Sequence, residues 1–374
     1  MLQPPPAQPG MREDEVETPA LLLDLDAFEH NLDRMAALLR PTGAALRAHA
    51  KTHKSPVIAH LQMARGAVGQ CVQKVAEAEV LAWGGVPDIL VSNEVVDARK
   101  LARLAALARL CRVALCADDT GGVARAEAAA EAAGLRLTVL VEIDVGMGRC
   151  GAAPGPEAVA LAERVAGSRH LRFGGIQAYH GRAQHLRAPE ERRRAVAAAT
   201  DDARRTVEQL RRRGLECPIV GGAGTGTFEL EAESGVYTEI QAGSYAFMDA
   251  DYARNLDELG QPVGTFRHAL FVLSTVMSTA RPGTAVLDAG HKAVPTDSGL
   301  PLVWGRPDLH HVGAADEHGT LRFGPEARAP EPGEVLRLVP GHCDPTVDRF
   351  DWYVGVRGGR VECLWPVAAR GAMG

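Results

Sequence analysis

The sequence predicts an α/β fold: a (β/α)8 TIM-type barrel followed by a C-terminal, mainly-β domain. Between residues 45 and 247, short apolar or β-branched runs alternate with Ala/Leu/Glu/Arg stretches of helical period. After about Ala250 the helical period disappears, Gly and Pro become dense, and strand-like segments replace the long helices. Alternation alone does not separate a doubly wound sheet from a closed barrel. Eight units over roughly 200–250 residues favour the barrel.

The eight strand candidates are 45–50, 67–72, 89–93, 112–117, 137–144, 172–180, 218–222 and 239–247. Between them the helical period marks 55–65, 74–83, 97–110, 122–133, 156–167 and 189–213. Each of these starts near Ser, Asp or Pro, and several end at Gly, as helix caps require. In the second domain the strand candidates are 269–279, 285–288, 335–339, 352–357 and 360–367. The expected division is a flexible Pro-rich leader at 1–17, a barrel at 18–254 and a β domain at 255–374, with a linker near 255–264.

Composition narrows the function. A hydrophobic fraction of 46% and a charged fraction of 24% suit an ordinary soluble globular chain. A net charge of -6 gives no reason to expect nucleic acid or an anionic membrane as partner. The basic runs at 190–194 and 211–213 read as solvated helix faces. No stretch approaches a membrane span, and the first fifteen residues lack the basic and apolar regions of a signal peptide. Seven scattered cysteines without CxxC spacing fit reduced thiols in a cytoplasm.

The chemistry falls at the strand ends. Lys51 follows the first strand in ALRAHAKTHKSP, Gln73 the second, and Asn93 ends the third. Arg149 follows the fifth, while Tyr179 and His180 close the sixth. GGAGTGT, residues 221–227, follows the seventh, and Gly243, Ser244 and Tyr245 lie in the eighth. Barrel active sites sit on the C-terminal face, with phosphate near the loops after strands seven and eight. A lysine there forms a Schiff base with an aldehyde cofactor, and a Gly/Thr turn cradles its phosphate, with Thr225 and Thr227 hydroxyls as extra donors. Each signal has a bland alternative: Lys51 with Lys54 as a surface basic patch, GGAGTGT as a flexible turn. Their shared register favours a pyridoxal 5'-phosphate enzyme, with Lys54 opening the next helix.

In VPGHCDPT, His342 and Asp344 are two residues apart, so an extended backbone projects both to one face and Cys343 to the other. An imidazole and a carboxylate suit Mn, Zn or Mg, with positions left for water and a substrate oxygen. On spacing alone, a His and an Asp capping a turn compete with that reading. His180 and His185, in YHGRAQH, are candidates for a base beside the sixth strand.

HAKTHKSP, QKVAEAE, VSNEVV, VEIDVGMGRCG, QAYHG, the long segment from GGAGTGT to MDADY, and VPGHCDPT together resemble the D-threonine aldolases. That group sits with the D-serine dehydratases among alanine-racemase-like pyridoxal-phosphate enzymes, and the resemblance runs from about Thr18 to Ala369. It implies a homodimer with active sites near the subunit interface and a D-β-hydroxy-α-amino acid substrate. It also implies the cofactor on Lys51 and a divalent metal, Mn first and then Zn or Mg, on His342 and Asp344. The reaction implied is cleavage of Cα–Cβ to glycine and an aldehyde, with His185 or His180 as base. Arg149 then faces the cofactor's phenolate oxygen, Gln73 and Tyr179 are contacts, and Gly224, Thr225, Gly243 and Ser244 serve the phosphate. Ala48 stands where Pro is expected and Ala223 where a third Gly is common. The nearest alternative is a dehydratase of D-serine or D-3-hydroxyaspartate; a non-enzymatic cofactor carrier would lack the long β domain.

Overall fold

In the computed structural model, which describes residues 3–374, eight parallel strands close into a barrel. The chain enters through β1 (Ala20–Asp24) and α1 (Leu25–Leu39). The barrel strands follow: β2 (Ala45–His49), β3 (Gly69–Val72), β4 (Asp88–Glu94), β5 (Arg112–Ala117), β6 (Leu137–Glu142), β7 (Leu171–Ala178), β8 (Ile219–Gly222) and β9 (Glu239–Ile240). Helices α2 (Pro56–Met63), α3 (Val75–Trp83), α4 (Ala98–Leu107), α5 (Thr120–Ala133), α6 (Pro156–Gly167), α7 (Pro189–Arg212) and α8 (Phe228–Glu233) connect them. Local chemistry sets their starts. The Asp97 and Asp119 carboxylates accept the first N–H groups of α4 and α5, and proline opens α2, α6 and α7.

The eighth strand is shorter than its sequence pattern. Only Glu239 and Ile240 pair, and the chain then turns into a 3₁₀ segment at Ser244–Ala246. So short a strand leaves the seam between β9 and β2 with little ladder. Arg47 on β2 supplies side-chain bonds across it. Its Nε and Nη2 donate to Glu239 at 2.7 and 3.0 Å, and its Nη1 donates to Asp88 of β4 at 2.7 Å. Above this floor the barrel is filled by Cys71, Leu90, Ala114, Cys116 and Leu140.

The second domain is a nine-stranded sheet, completed by β10 (Leu270–Ser278), β11 (Thr284–Leu287), β12 (Leu302–Val303), β13 (Leu309–Ala314), β14 (Gly319–Phe323), β15 (Val335–Val339), β16 (Trp352–Arg357) and β17 (Arg360–Pro366), with α9 (Cys343–Val347) before β16. The sequence pattern shows β10, β11 and β15 to β17, and misses β12 to β14. Strand β1 precedes the barrel in sequence yet lies in this second sheet, antiparallel to β10 and parallel to β16. Residues 3–17, expected as a flexible leader, are bound to the same sheet. Gln3 N donates to Asp351, Gly10 N to the Val361 carbonyl, and Arg337 Nε to Glu13 at 2.6 Å, while Ala7 and Val16 are buried.

Arg47→Met leaves Glu239 without its counter-charge at the seam and Asp88 with Arg112 alone. It should cost roughly 3–5 kcal/mol, read as a lower denaturation midpoint; an unchanged midpoint would mean the ladder alone holds the closure.

Candidate active site

The C-terminal ends of the strands surround a cavity of about 420 Å³, and the segment opening α9 completes its wall. Lys51, Gln73, Arg149, Tyr179, His185, Gly224, Thr225, Gly243, Ser244, His342 and Asp344 all line it. His180 does not. It follows the inward-facing Tyr179, so strand alternation turns it outward, against the Gly146 loop. There burial lowers its pKa, and its Nδ1 has no hydrogen-bond partner.

Lys51 reaches toward the second domain, with Nζ 3.5 Å from Asp344 Oδ2. Burial works against its ammonium, and the Asp344 carboxylate more than offsets that, so its pKa lies above the ordinary lysine value. Beside it His49 is held neutral, its pKa driven well down by burial and then by the Lys51 charge. Gln73 Nε2 lies 2.9 Å from His49 Nε2. Lys54 belongs neither to a surface patch nor to the next helix. It is buried, pairs with Glu77 at 2.8 Å and Asp348 at 3.3 Å, and leaves α2 to start at Pro56.

His342 is extended, but Asp344 already lies in α9, so the segment is not extended throughout. The helix start still presents both side chains to the cavity. Cys343 is directed away, its thiol donating to the Met248 carbonyl in the core. His342 Nδ1 lies 2.8 Å from Asp297 Oδ2, an arrangement that orients the ring and leaves Nε2 for a metal. Asp344 Oδ1 is buried without a hydrogen-bond partner. A divalent ion fits this donor set, because it would satisfy the orphaned oxygen.

At the other end of the cavity, Thr225 Oγ1 is likewise buried and unpartnered. Thr227 is not available as expected: its hydroxyl donates to Glu231 at 2.7 Å and accepts from Gln184 Nε2 at 2.7 Å. Gln184 Oε1 also takes the Gly226 N–H, so this side chain clamps the turn. A Cβ on Gly224 would meet Gln184 Oε1 at 2.6 Å, and one on Gly243 would meet Thr52 Oγ1 at 2.5 Å. Glycine is required at both because the backbone passes too close for a side chain. The Thr225 hydroxyl and this glycine-walled cradle fit a phosphate.

His185 lies in a 3₁₀ turn, Gly181–His185, with Nδ1 2.6 Å from Asp251 Oδ2 and its ring 5.4 Å from that of Tyr252. Asp251, Asp297 and Gln184 carry no sequence signal, since each is recognised only through a partner more than 40 residues away.

Residues 23–251 match the alanine racemase N-terminal domain, and residues 269–356 a putative serine dehydratase domain. A D-threonine aldolase of an Arthrobacter species is 47% identical over 98% of this chain and 96% of its own. The chain belongs to the D-threonine aldolase family. A 3-hydroxy-D-aspartate aldolase of Paracoccus denitrificans is 46% identical, covering 98% of this chain and 95% of its own. The crystal structure of D-threonine aldolase from Filomicrobium marinum superposes with a TM-score of 0.96 at 49% identity, over 99% of this chain and 100% of that one. The protein is thus a carbon–carbon lyase on an alanine-racemase-like, pyridoxal-phosphate scaffold. Among the described residues no helix is long and apolar enough to cross a membrane.

Asp297→Ala frees the His342 ring, and Mn(II) affinity measured by calorimetry should fall about 10–100-fold; unaltered affinity would deny Asp297 an orienting role. Glu231, buried beneath the phosphate turn, has its pKa pushed up to about 7 by burial. The folded state therefore binds more protons than the unfolded state between the ordinary glutamate pKa and about 7, and this group's contribution to stability falls as pH rises through that window. Glu231→Gln should leave the melting temperature near wild type at pH 5 and raise it at pH 8; an equal shift at both would exclude the linkage.

Proposed function

We propose that this protein cleaves D-threonine and other D-β-hydroxy-α-amino acids between Cα and Cβ, giving glycine and an aldehyde. The observation that carries this reading is the approach of Lys51 Nζ to Asp344 at 3.5 Å. In such a substrate the amino nitrogen and the β-hydroxyl oxygen are three bonds, roughly 3–4 Å, apart. A substrate amine taken up at Lys51 thus has its β-oxygen within reach of the His342/Asp344 pair.

Lys51 holds pyridoxal phosphate, which when bound supplies an electron sink for Cα. His342 and Asp344 hold a divalent ion, Mn by preference with Zn or Mg as alternatives, which supplies Lewis acidity at the hydroxyl. His185 is the base: Asp251 fixes one ring nitrogen, and the other takes the hydroxyl proton at Cβ. Arg149 lies over the Tyr179 ring at 5.9 Å, placed to orient the cofactor ring. Gln73 and Tyr179 pack beside the cofactor, while Gly224, Thr225, Gly243 and Ser244 hold its phosphate. The working form is a homodimer, as its resemblance to the aldolases implies, and seven free cysteines suit a reducing cytoplasm.

Incubation with pyridoxal phosphate, Mn(II) and D-threonine should yield glycine and acetaldehyde. Lys51→Ala should reduce this to background and abolish the imine absorbance. Chelation should stop the wild type, with recovery on adding Mn(II), whereas His342→Ala should not recover at the same concentration. Ammonia with 2-oxobutanoate would instead identify a dehydratase.

A further inference from the structure

Nearly every cationic or imidazole side chain on the cavity wall already has a partner. Lys51 faces Asp344, His185 faces Asp251, His342 faces Asp297, and His49 faces Gln73. Two guanidiniums remain. Arg149 lies over Tyr179, and its charge acts on the buried Glu142 carboxyl behind it. Arg182 makes no ion pair or hydrogen bond among the described residues, although it opens onto the same cavity.

The placement of Arg182 is specific. It lies in the 3₁₀ turn Gly181–His185, three residues before His185, and residues so spaced in a 3₁₀ turn eclipse one another. Arg182 and His185 therefore share one face, and both reach the cavity. The turn is anchored from beneath by buried Ala183 and by Gln184, which bonds Thr227 and Gly226. Arg182 is thus a charge on a rigid mount, beside the group assigned to the β-hydroxyl. Its natural target is the substituent on Cβ.

We propose that Arg182 binds a carboxylate carried on Cβ, making acidic D-β-hydroxy amino acids of the 3-hydroxyaspartate type preferred substrates of this enzyme. The inference rests on the retro-aldol reading above and extends it to substrate choice. Cleavage then breaks Cα–Cβ, and the hydroxyl proton passes to the base. The Cβ–O bond becomes a carbonyl, the electron pair remains on Cα, and Cα takes a proton. Glycine and the two-carbon oxo acid glyoxylate leave, with no other co-reactant. A guanidinium binds a planar carboxylate through two parallel N–H bonds, which a threonine methyl cannot offer.

The test compares kcat/KM for 3-hydroxy-D-aspartate and D-threonine in the wild-type holoenzyme, Arg182→Gln and Arg182→Lys. The ratio of the two values should fall about 10–100-fold in Arg182→Gln, chiefly through KM for the diacid, and recover in part with lysine. Competitive inhibition by succinate should weaken in parallel. A ratio within twofold of wild type would overturn the proposal. So would an equal loss on both substrates, which would place Arg182 on the α-carboxylate. Wild type that cleaves D-threonine but not 3-hydroxy-D-aspartate refutes this inference alone. Wild type that cleaves neither refutes the retro-aldol reading with it.

Discussion

The site exists only because the second domain docks on the barrel mouth, and the Lys51–Asp344 approach is the point where the two meet chemically. Neither domain holds both the amine and the carboxylate. The docking is heavily braced around that point. Tyr353 donates to the His53 carbonyl at 2.7 Å, two residues beyond Lys51, and Cys343 N donates to Asp249, just after the eighth strand's turn. Phe247 packs against Phe28 and Tyr353 with ring centroids about 6 Å apart, and Trp365 closes on Phe28. The buried Lys54, tied to Glu77 of the barrel and Asp348 after α9, spans both sides of the joint. Threading β1 through the second sheet before the barrel begins makes this docking covalent at both ends of the barrel.

The electrostatics of the joint are those of a site prepared for a cation. Around His342 stand Asp344, Asp297 and Asp249. Burial alone would keep that imidazole neutral, but the carboxylates, Asp344 foremost, reverse the balance and raise its pKa. Asp249 bears the cost: burial pushes its pKa up to about 6, even though it accepts the Tyr252 and Cys343 N–H groups. Three acids and one imidazole in so little space are mutually unfavourable without a positive charge among them. Lys51 supplies part of that charge. A divalent ion supplies it more fully and satisfies Asp344 Oδ1 as well, so the donor set fits its occupant on two independent grounds.

Much of this was legible in the sequence because barrels map strand order onto space. The eight barrel strands and all the connecting helices but α8 read directly from alternation, and inward-facing residues at strand ends, Lys51, Gln73 and Tyr179 among them, share one rim by period-two geometry. The same periodicity, applied one residue further, separates His180 from the site. What the sequence does not reveal depends on distant partners. β1 lies ahead of the first strand that the sequence pattern marks, and its place in the second sheet is set by its neighbours β10 and β16. Asp297 sits in an irregular segment with no period, and its value lies wholly in facing His342 across 45 residues of chain. Thr227 reads as a phosphate donor until Glu231 and Gln184 are seen to consume its hydroxyl.

Ala223 shows how far the surroundings dictate the cradle. It replaces an expected glycine, yet its backbone is left-handed at φ 66° and it is buried. An alanine there costs about 1 kcal/mol relative to the ordinary helical or extended regions, a strain that glycine would not bear. The turn nevertheless keeps the conformation. Gln184 pins Gly226 on one side, and Gln241 N donates to the Gly222 carbonyl at 2.8 Å on the other, so the intervening residues have little freedom left. Alanine also has fewer unfolded conformations to lose than glycine, which offsets part of the strain. The cradle's shape is therefore a property of its clamps and of the flanking Gly222 and Gly224, and Ala223 follows a path that those residues set.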